Sequence, residues 1–481
     1  MNRRMILYMI GKIIMIEGAL LTLPLCVSLL YKESCAASFL ITIVLALVAG
    51  FILTRAVKPK KEVFYAKEGF VIVALGWVVM SAIGALPFTI SGEIPNYVDA
   101  FFETVSGFTT TGASIVADVE AMSKGILFWR SFTHWVGGMG VLVFIMAVVP
   151  NTSDRSIHIM RAEMPGPVVG KLVPKASDTA KILYKIYIGI TILEVLLLSL
   201  GGMPIFESFV HTFGTVGTGG LGVKADSIAS YSPYLQWVIT VFMLICGINF
   251  NLFYLLLIKR FKSVFRSEEL WVYIGIVIAA IVAISINIYH MYGSLSEVIR
   301  QSAFQVASII TTTGYATTDF NLWPGFSKAI LFVLMFIGGC AGSTAGGLKQ
   351  SRLILLFKMI KREFRHMLHP RSVGVVKFED KAVSDETING VGIYLAIYCV
   401  CFFTIFLIVS LETLDFESNF SAVAACFNNI GPGFNIVGPA GNYAGYSILS
   451  KVVLSIAMLL GRLEIYPILF LLSPTTWSKN K

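Results

Sequence analysis

Four stretches of this chain carry residue types that could hold a bare cation. They are NYVDAFFETVSGFTTTGAS at 96–114, PIFESFVHTFGTVGTGGLG at 204–222, SEVIRQSAFQVASIITTTGYATT at 296–318 and FESNFSAVAACFNNIGPGFN at 416–435. Each opens as a short helix-like segment and breaks into small hydroxyl residues and glycine. Aligned on Gly112, Gly219, Gly314 and Gly433, they recur at intervals of roughly a hundred residues, enough for a spanning helix, a short helix and a second spanning helix. Thr111, Thr218, Thr313 and Pro432 stand one place before those glycines, and Thr110, Gly217, Thr312 and Gly431 two places before.

The chemistry these residues suit is replacement of an ion's hydration shell by backbone carbonyls. Successive carbonyls aimed at one axis demand backbone angles that glycine reaches at little steric cost. Threonine flanks it well, being small and favouring extended backbone. The short helices would aim the negative ends of their dipoles at the cation. No Asp or Glu stands at the glycine positions, as a divalent-cation filter would show. Glu103 and Glu207 fall earlier, on the short helices, as a weak electronegative funnel or as acceptors for nearby backbone. Asp319 stands just outside the third stretch, either drawing cations to the mouth or simply solvated.

Such backbone must sit in protein or line water within a membrane, and the rest of the chain meets that condition. Of the 481 residues, 56% are hydrophobic and 14% charged, where an ordinary soluble chain carries about 25% charged residues. Apolar runs at 36–53, 70–90, 181–200, 236–258, 271–292, 391–411 and 448–473 approach the roughly 20 residues a spanning helix needs. Residues 6–31 and 126–149 qualify despite Lys12, Glu17, Arg130 and His134, and 6–31 is too long for a signal peptide. The expected fold is an all-α polytopic membrane protein. Four helix–pore-helix–helix repeats, 58–150, 151–262, 263–375 and 376–481, surround a central pore, and 1–57 adds an extra helix pair. The net charge of +9 follows the positive-inside rule rather than nucleic-acid binding. Basic residues gather at Arg55–Lys67, Arg155–Lys175, Lys259–Arg266 and Lys361–Lys377, and Arg3, Arg4, Lys479 and Lys481 mark the ends, so both termini are expected in the cytoplasm. The seven cysteines show no metal or pairing spacing, and the six histidines are scattered.

The apolar run 328–360 is interrupted by GGCAGSTAGG at 338–347, too glycine-rich for a stable helix interior. A phosphate-binding loop is excluded because Leu348, not lysine, follows Gly347. The freed backbone suits a loop that blocks a pore from below. Arg462 is a charge inside an apolar run and so expected to face the interior, where it repels cations, holds that loop, or pairs with Glu464 or loop carbonyls. Lys349 and Arg352 follow the loop and could snorkel to the cytoplasmic surface. Asn249 and Asn251 either face the cavity or bridge helices. Arg130 and His134 lie one turn apart, with no acidic or nucleophilic partner on their own helical face, which argues against a membrane enzyme.

TTTGAS (109–114), TVGTGGLG (215–222), TTTGY (311–315), NNIGPGF (428–434), GGCAGSTAGGLKQSR (338–352) and GRLEIYP (461–467) resemble the Trk/Ktr/HKT superfamily of potassium transporters, and within it the TrkH/TrkG type, over essentially the whole chain. The extra amino-terminal pair favours that type over the shorter KtrB type. The resemblance implies that Gly112, Gly219, Gly314 and Gly433, with the residues before them, bind K+, and that glycine rather than serine at 112 goes with potassium over sodium. It implies a gate made of Gly338, Gly339, Gly342, Ser343, Thr344, Gly346, Gly347, Lys349 and Arg462. It further implies a homodimer in the bacterial inner membrane on a cytosolic TrkA-type subunit binding NAD(H) or ATP/ADP, since no nucleotide fold or organic cofactor site is visible in this chain. The basic loops could dock that partner or the lipid bilayer. A symporter coupled to Na+ or H+ is the alternative. Four repeats of one orientation favour a pore over the inverted repeats of alternating-access transporters.

Overall fold

A computed structural model of the chain describes residues 2–57, 66–140, 176–371 and 374–477. The expected basic residues Lys58, Lys60, Lys61, Arg155, Arg161, Lys171, Lys175, Lys479 and Lys481 lie outside them, as do the end of the 126–149 run and the repeat boundary at 150/151. Among the described residues, six helices are long and apolar enough to cross a membrane, or seven if one bent pair counts as a span.

The amino-terminal pair is α1 (Arg3–Leu20), continued after one residue by α2 (Thr22–Leu30), and α3 (Ala36–Ala56). They cross where Gly11 and Gly50 leave room. A Cβ on Gly50 would come within 2.7 Å of the Gly11 carbonyl, the close approach small residues permit when lipid supplies no hydrophobic drive between helices.

The first repeat runs α4 (Ala66–Gly84), α5 (Leu86–Ser91), the short α6 (Tyr97–Phe108) and α7 (Lys124–Gly138). The second runs α8 (Ala176–Leu200), short α9 (Ile205–Gly217), α10 (Pro233–Cys246), α11 (Phe250–Leu257) and α12 (Phe261–Phe265). The third runs α13 (Glu268–Ile288), short α14 (Leu295–Ile310), α15 (Gly325–Ile337) and α16 (Gln350–Leu368). The fourth runs α17 (Asp385–Val409), short α18 (Phe416–Phe427), α19 (Ile448–Arg462), α20 (Tyr466–Leu472) and α21 (Pro474–Trp477). The boundary expected at 262/263 falls inside α12. Three short helices start on side-chain caps: Asn96, Ser294 and Asp415 accept from the backbone N–H of Val98, Glu297 and Ser418. Such caps satisfy helix-end donors that would otherwise be orphaned.

The second spanning segments depart from the sequence reading. The run 236–258 is not one helix but bends by 93° between α10 and α11. The run 448–473 breaks after Arg462, where Glu464 and Ile465 take φ of +56° and +67°. The expected break in 328–360 separates α15 from α16. Hydropathy reports length and apolarity, not continuity. Each break lies at a polar or glycine-containing step that neighbouring elements satisfy.

Aromatic rings wedge the short helices against the spanning ones. Phe402 on α17 meets Phe420 and Phe427 of α18 at centroid distances of 5.4 and 6.1 Å, while Phe132 and Trp135 of α7 meet Phe213 of α9 at 5.5 and 6.1 Å. On α7, Gly137 abuts the end of α6 so closely that a Cβ would collide with the Phe108 carbonyl, whereas a Cβ on Gly189 of α8 meets nothing. Gly137→Ala is therefore expected to lower stability by about 1–3 kcal/mol through overpacking. Gly189→Ala is expected to be neutral or to gain up to ~1 kcal/mol from helix propensity. Thermal unfolding midpoints in detergent check both, and equal midpoints would refute the close crossing.

Candidate functional site

The four short helices end on a shared backbone turn. Thr110, Thr218, Thr312 and Asn429 take φ of +54°, +58°, +55° and +57°. The next residue returns its N–H to the last helical turn: Thr111 to Ser106, Gly219 to Gly214, Thr313 to Ser308 and Ile430 to Ala425, at 2.8–2.9 Å. Two residues after each turn comes a glycine at positive φ: Gly112 (+78°), Gly220 (+74°), Gly314 (+86°) and Gly431 (+95°). Left-handed backbone is rare for a β-branched residue and costs of order 1–3 kcal/mol, so it persists only where the surroundings impose it.

This geometry corrects the alignment. The equivalent glycine is Gly220 rather than Gly219 in the second quarter, and Gly431 rather than Gly433 in the fourth. Gly217 is the last residue of α9, and a Cβ there would come within 2.5 Å of the His134 carbonyl on α7. Gly433 donates to the Val437 carbonyl at 2.7 Å, and Pro432 lines the outer vestibule. TGG and GPG each contain two glycines, so spacing could not choose between them. The choice is made where each helix lets go. The residue before the glycine is then Thr111, Gly219, Thr313 and Ile430, not three threonines and a proline. The first and third quarters are alike, with Thr109–Thr111 and Thr311–Thr313 hydroxyl pairs at 2.8 Å.

The quarters close a circle in chain order. A Cβ on Gly112 would strike the Gly219 carbonyl oxygen, one on Gly220 that of Thr313, one on Gly314 that of Ile430, and one on Gly431 would lie 2.6 Å from that of Thr111. Four carbonyls and four glycines therefore share one ring at the C-terminal ends of four helices. Such a ring, with threonine hydroxyls below it, offers dipolar oxygens and no full charge, which suits a dehydrated monovalent cation.

The expected funnel carboxylates do not face this ring. Glu103 is fully buried and pairs with Arg130 at 2.5 Å. Arg130 thus has an acidic partner on a neighbouring helix, which its own helical face could not reveal. Glu207 accepts from the Tyr231 hydroxyl at 2.7 Å, and Asp319 accepts from the Asn321 N–H at 3.0 Å.

Below the ring lies the glycine-rich loop between α15 and α16. The Gly346 N–H donates to the Thr312 hydroxyl at 2.6 Å, so the loop touches the base of the ring. Cys340 N–H reaches the Gly247 carbonyl (2.9 Å), and the Gly342 carbonyl accepts from Phe250 N–H (3.0 Å) beside Asn249, which caps α11 at the 93° bend. Thr344 Oγ1 donates to the Cys246 carbonyl at 3.3 Å, and the Ser343 hydroxyl to that of Cys340 at 2.7 Å. Gln350 Nε2 donates to the Gly338 carbonyl at 2.9 Å. Arg462 donates to the carbonyls of Thr344 (2.7 Å), Gly137 (2.7 Å) and Gly138 (2.6 Å), tying the loop to the end of α7.

Lys349 and Arg352 do not snorkel. Lys349 is buried and donates to the Ala345 carbonyl. Arg352 pairs with Glu464 at 2.5 Å and lies over the Tyr394 ring at 4.0 Å, so Glu464 belongs to Arg352 rather than to Arg462. Glu269 was missed. Its Oε1 accepts from Ala341 N–H (2.7 Å) and Ser351 N–H (3.0 Å), pinning both ends of the loop. In sequence it reads only as an acid in the first turn of α13. Asn429, also missed, donates to the Thr111 hydroxyl (3.0 Å) and the Met458 carbonyl (2.9 Å).

A multi-pass helical membrane protein whose repeats close a ring of backbone oxygens belongs among the proteins that handle small cations. The comparisons agree. The profile of the TrkH family, described as a cation transport protein, matches residues 36–479. The Trk system potassium uptake protein TrkH of Salmonella typhimurium is 36% identical, over 99% of this chain and 100% of that one. TrkG of Escherichia coli is 34% identical over 98% of each chain. The crystal structure of the potassium transporter TrkH from Vibrio parahaemolyticus superposes with a TM-score of 0.89 at 33% identity, over 99% of this chain and 100% of that one. The chain belongs to the TrkH family.

Gly431→Ala and Gly433→Ala distinguish the two registers. An alanine at Gly431 meets both a left-handed backbone costing about 1–2 kcal/mol and the Thr111 carbonyl, whereas the nearest atom to a Cβ at Gly433 is the Ser421 hydroxyl at 2.8 Å. Rubidium uptake into proteoliposomes is expected to fall by an order of magnitude or more for the first and much less for the second. The reverse ranking would restore the alignment on Gly433.

Proposed function

We propose that this chain is a potassium-permeable pore for uptake across the bacterial inner membrane. Ring closure carries the reading: four carbonyls of four repeats against four positive-φ glycines, with no carboxylate among the described residues of the ring. Thr110, Thr111, Gly112, Thr218, Gly219, Gly220, Thr312, Thr313, Gly314, Asn429, Ile430 and Gly431 would bind the ion, with Pro432 and Gly433 at the outer mouth. Each of the units 58–150, 151–262, 263–375 and 376–481 supplies one quarter. The sequence names of the relatives, potassium uptake proteins of a Trk system, supply the ion.

The loop 338–347 with Lys349 is the gate, and Arg462 is its latch. Two features support this. The loop reaches the ring base through Gly346, and the Arg462 guanidinium places a fixed positive charge beneath a cation route. Cys340 anchors the loop in the apolar core, and the rest is held by hydrogen bonds with the Cys246 and Gly247 carbonyls, the Thr312 hydroxyl, the Glu269 carboxylate and the Arg462 guanidinium, polar contacts that water can replace. Opening signals come from outside the chain. A homodimer seated on a cytosolic TrkA-type subunit binding NAD(H) or ATP/ADP fits the Trk relatives, with both termini and the basic loops on the cytoplasmic side.

Gly112→Ser is expected to raise sodium permeability relative to rubidium in proteoliposomes, and an unchanged ratio would count against the ring as the filter. Arg462→Ala is expected to raise basal rubidium flux severalfold in folded protein, because the bridge of one hydrogen bond to the loop at Thr344 and two to the end of α7 is lost. Lower flux would remove the latch. Flux that strictly requires sodium or a proton gradient would replace the pore with the coupled symporter.

A further inference from the structure

The outer side of the ring rests on one buried ion pair. Glu103 of α6 and Arg130 of α7 meet at 2.5 Å, with 0% and 3% of their side chains exposed. Their remaining polar atoms go to the strands leaving the ring. Glu103 accepts from Ile115 N–H at 3.0 Å and from the Ser114 hydroxyl at 3.1 Å. Arg130 donates to that hydroxyl at 2.9 Å and to the Gly222 carbonyl at 3.3 Å. Ser114 follows Gly112 by two residues and Gly222 follows Gly220 by two. The pair therefore ties the first and second quarters together at the same height.

The other boundaries use neutral groups at this level. The Tyr315 hydroxyl donates to the His211 carbonyl at 3.1 Å between the third and second quarters. Between the fourth and first, Tyr443 N–H donates to the Ser114 carbonyl at 2.8 Å, while its hydroxyl holds the Gly431 carbonyl of its own quarter at 2.6 Å. Between the third and fourth, Asn435 N–H reaches the Asn321 side chain at 3.0 Å. Among the described residues, Glu103–Arg130 is the one ion pair bonded to backbone next to the ring glycines. A buried pair is a poor source of stability, since desolvation offsets its attraction, but removal of one member strands the other charge. What such a pair supplies is fixed geometry, and carbonyl selectivity depends on the number and arrangement of oxygens held at one height.

We infer that Glu103 and Arg130 are a positioning pair that sets how strongly the ring discriminates potassium from sodium, without either side chain touching the ion. The inference rests on the ring being the filter. Ser114 belongs to the same device, because its hydroxyl meets both charges.

The full-length chain in proteoliposomes tests this through the sodium-to-rubidium permeability ratio, which does not depend on how much protein is folded. Glu103→Gln and Arg130→Lys are expected to raise the ratio about tenfold, the factor matching one lost charge-assisted hydrogen bond. Ser114→Ala, which removes only the shared hydroxyl, is expected to raise it severalfold and decides the matter if the first two do not fold. Gly112→Ser runs alongside. If it changes the ratio while the pair variants and Ser114→Ala keep the wild-type value and merely lose folded protein or total flux, the positioning role is overturned and the filter stands. If Gly112→Ser also leaves the ratio unchanged, the filter reading itself falls.

Discussion

Everything in this chain depends on keeping backbone oxygens bare inside a membrane. An unsatisfied carbonyl at that depth is costly, so a protein can present a ring of them only by supporting every neighbouring group. The left-handed turn at Thr110, Thr218, Thr312 and Asn429 is the means. It stops each short helix, sends the next N–H back into the helix, and leaves the following carbonyl free to face its neighbours. The strain of that turn is local. The support is distributed: aromatic wedges behind α9 and α18, an abutment at Gly137, and at least one hydrogen-bonded contact across every boundary between quarters.

The same constraint explains why the four quarters are not copies. A symmetric ring needs only matching backbone angles, so side chains are free to differ wherever backbone is what faces the axis. Hydroxyl pairs recur in the first and third quarters, the second is built of glycine, and the fourth uses Asn429 and Ile430. The asymmetry is put to use beneath the ring. Among the described residues of the ring, only Thr312 meets the loop through its hydroxyl, and Arg462 comes from the fourth repeat.

The fold class and the four-part plan were legible because both are written in period and length. Apolar runs near the span of a bilayer and a motif recurring with them leave few architectures. The break in 328–360 was legible for a similar reason, since glycine density is a composition signal. What could not be read was register and pairing. Gly219 and Gly220 are adjacent, and a shift of one residue changes no composition. Glu103 with Arg130, Glu464 with Arg352 and Glu269 with the loop are contacts between separate elements. From sequence each charge had a nearer or simpler account: a funnel, a partner two residues away, a helix-start acid. The bends at 247–249 and 463–465 were hidden because hydropathy does not distinguish one straight helix from two joined at an angle.

The placement of charge follows from the ring as well. A cation route built from dipoles has no strong well of its own, so a nearby fixed charge weighs heavily in low dielectric. Glu103 near the ring is neutralised by Arg130 at 2.5 Å, and Glu464 near the loop by Arg352 at 2.5 Å. Arg462 donates to the carbonyls of Thr344, Gly137 and Gly138, which joins the loop to the end of α7. In the proposed pore the carboxylates that would deepen the ring into a trap are thus paired, while Arg462 and the buried Lys349 bring positive charge to the loop beneath it. Under the proposed function, the order of these charges along the axis separates two tasks, discrimination above and closure beneath.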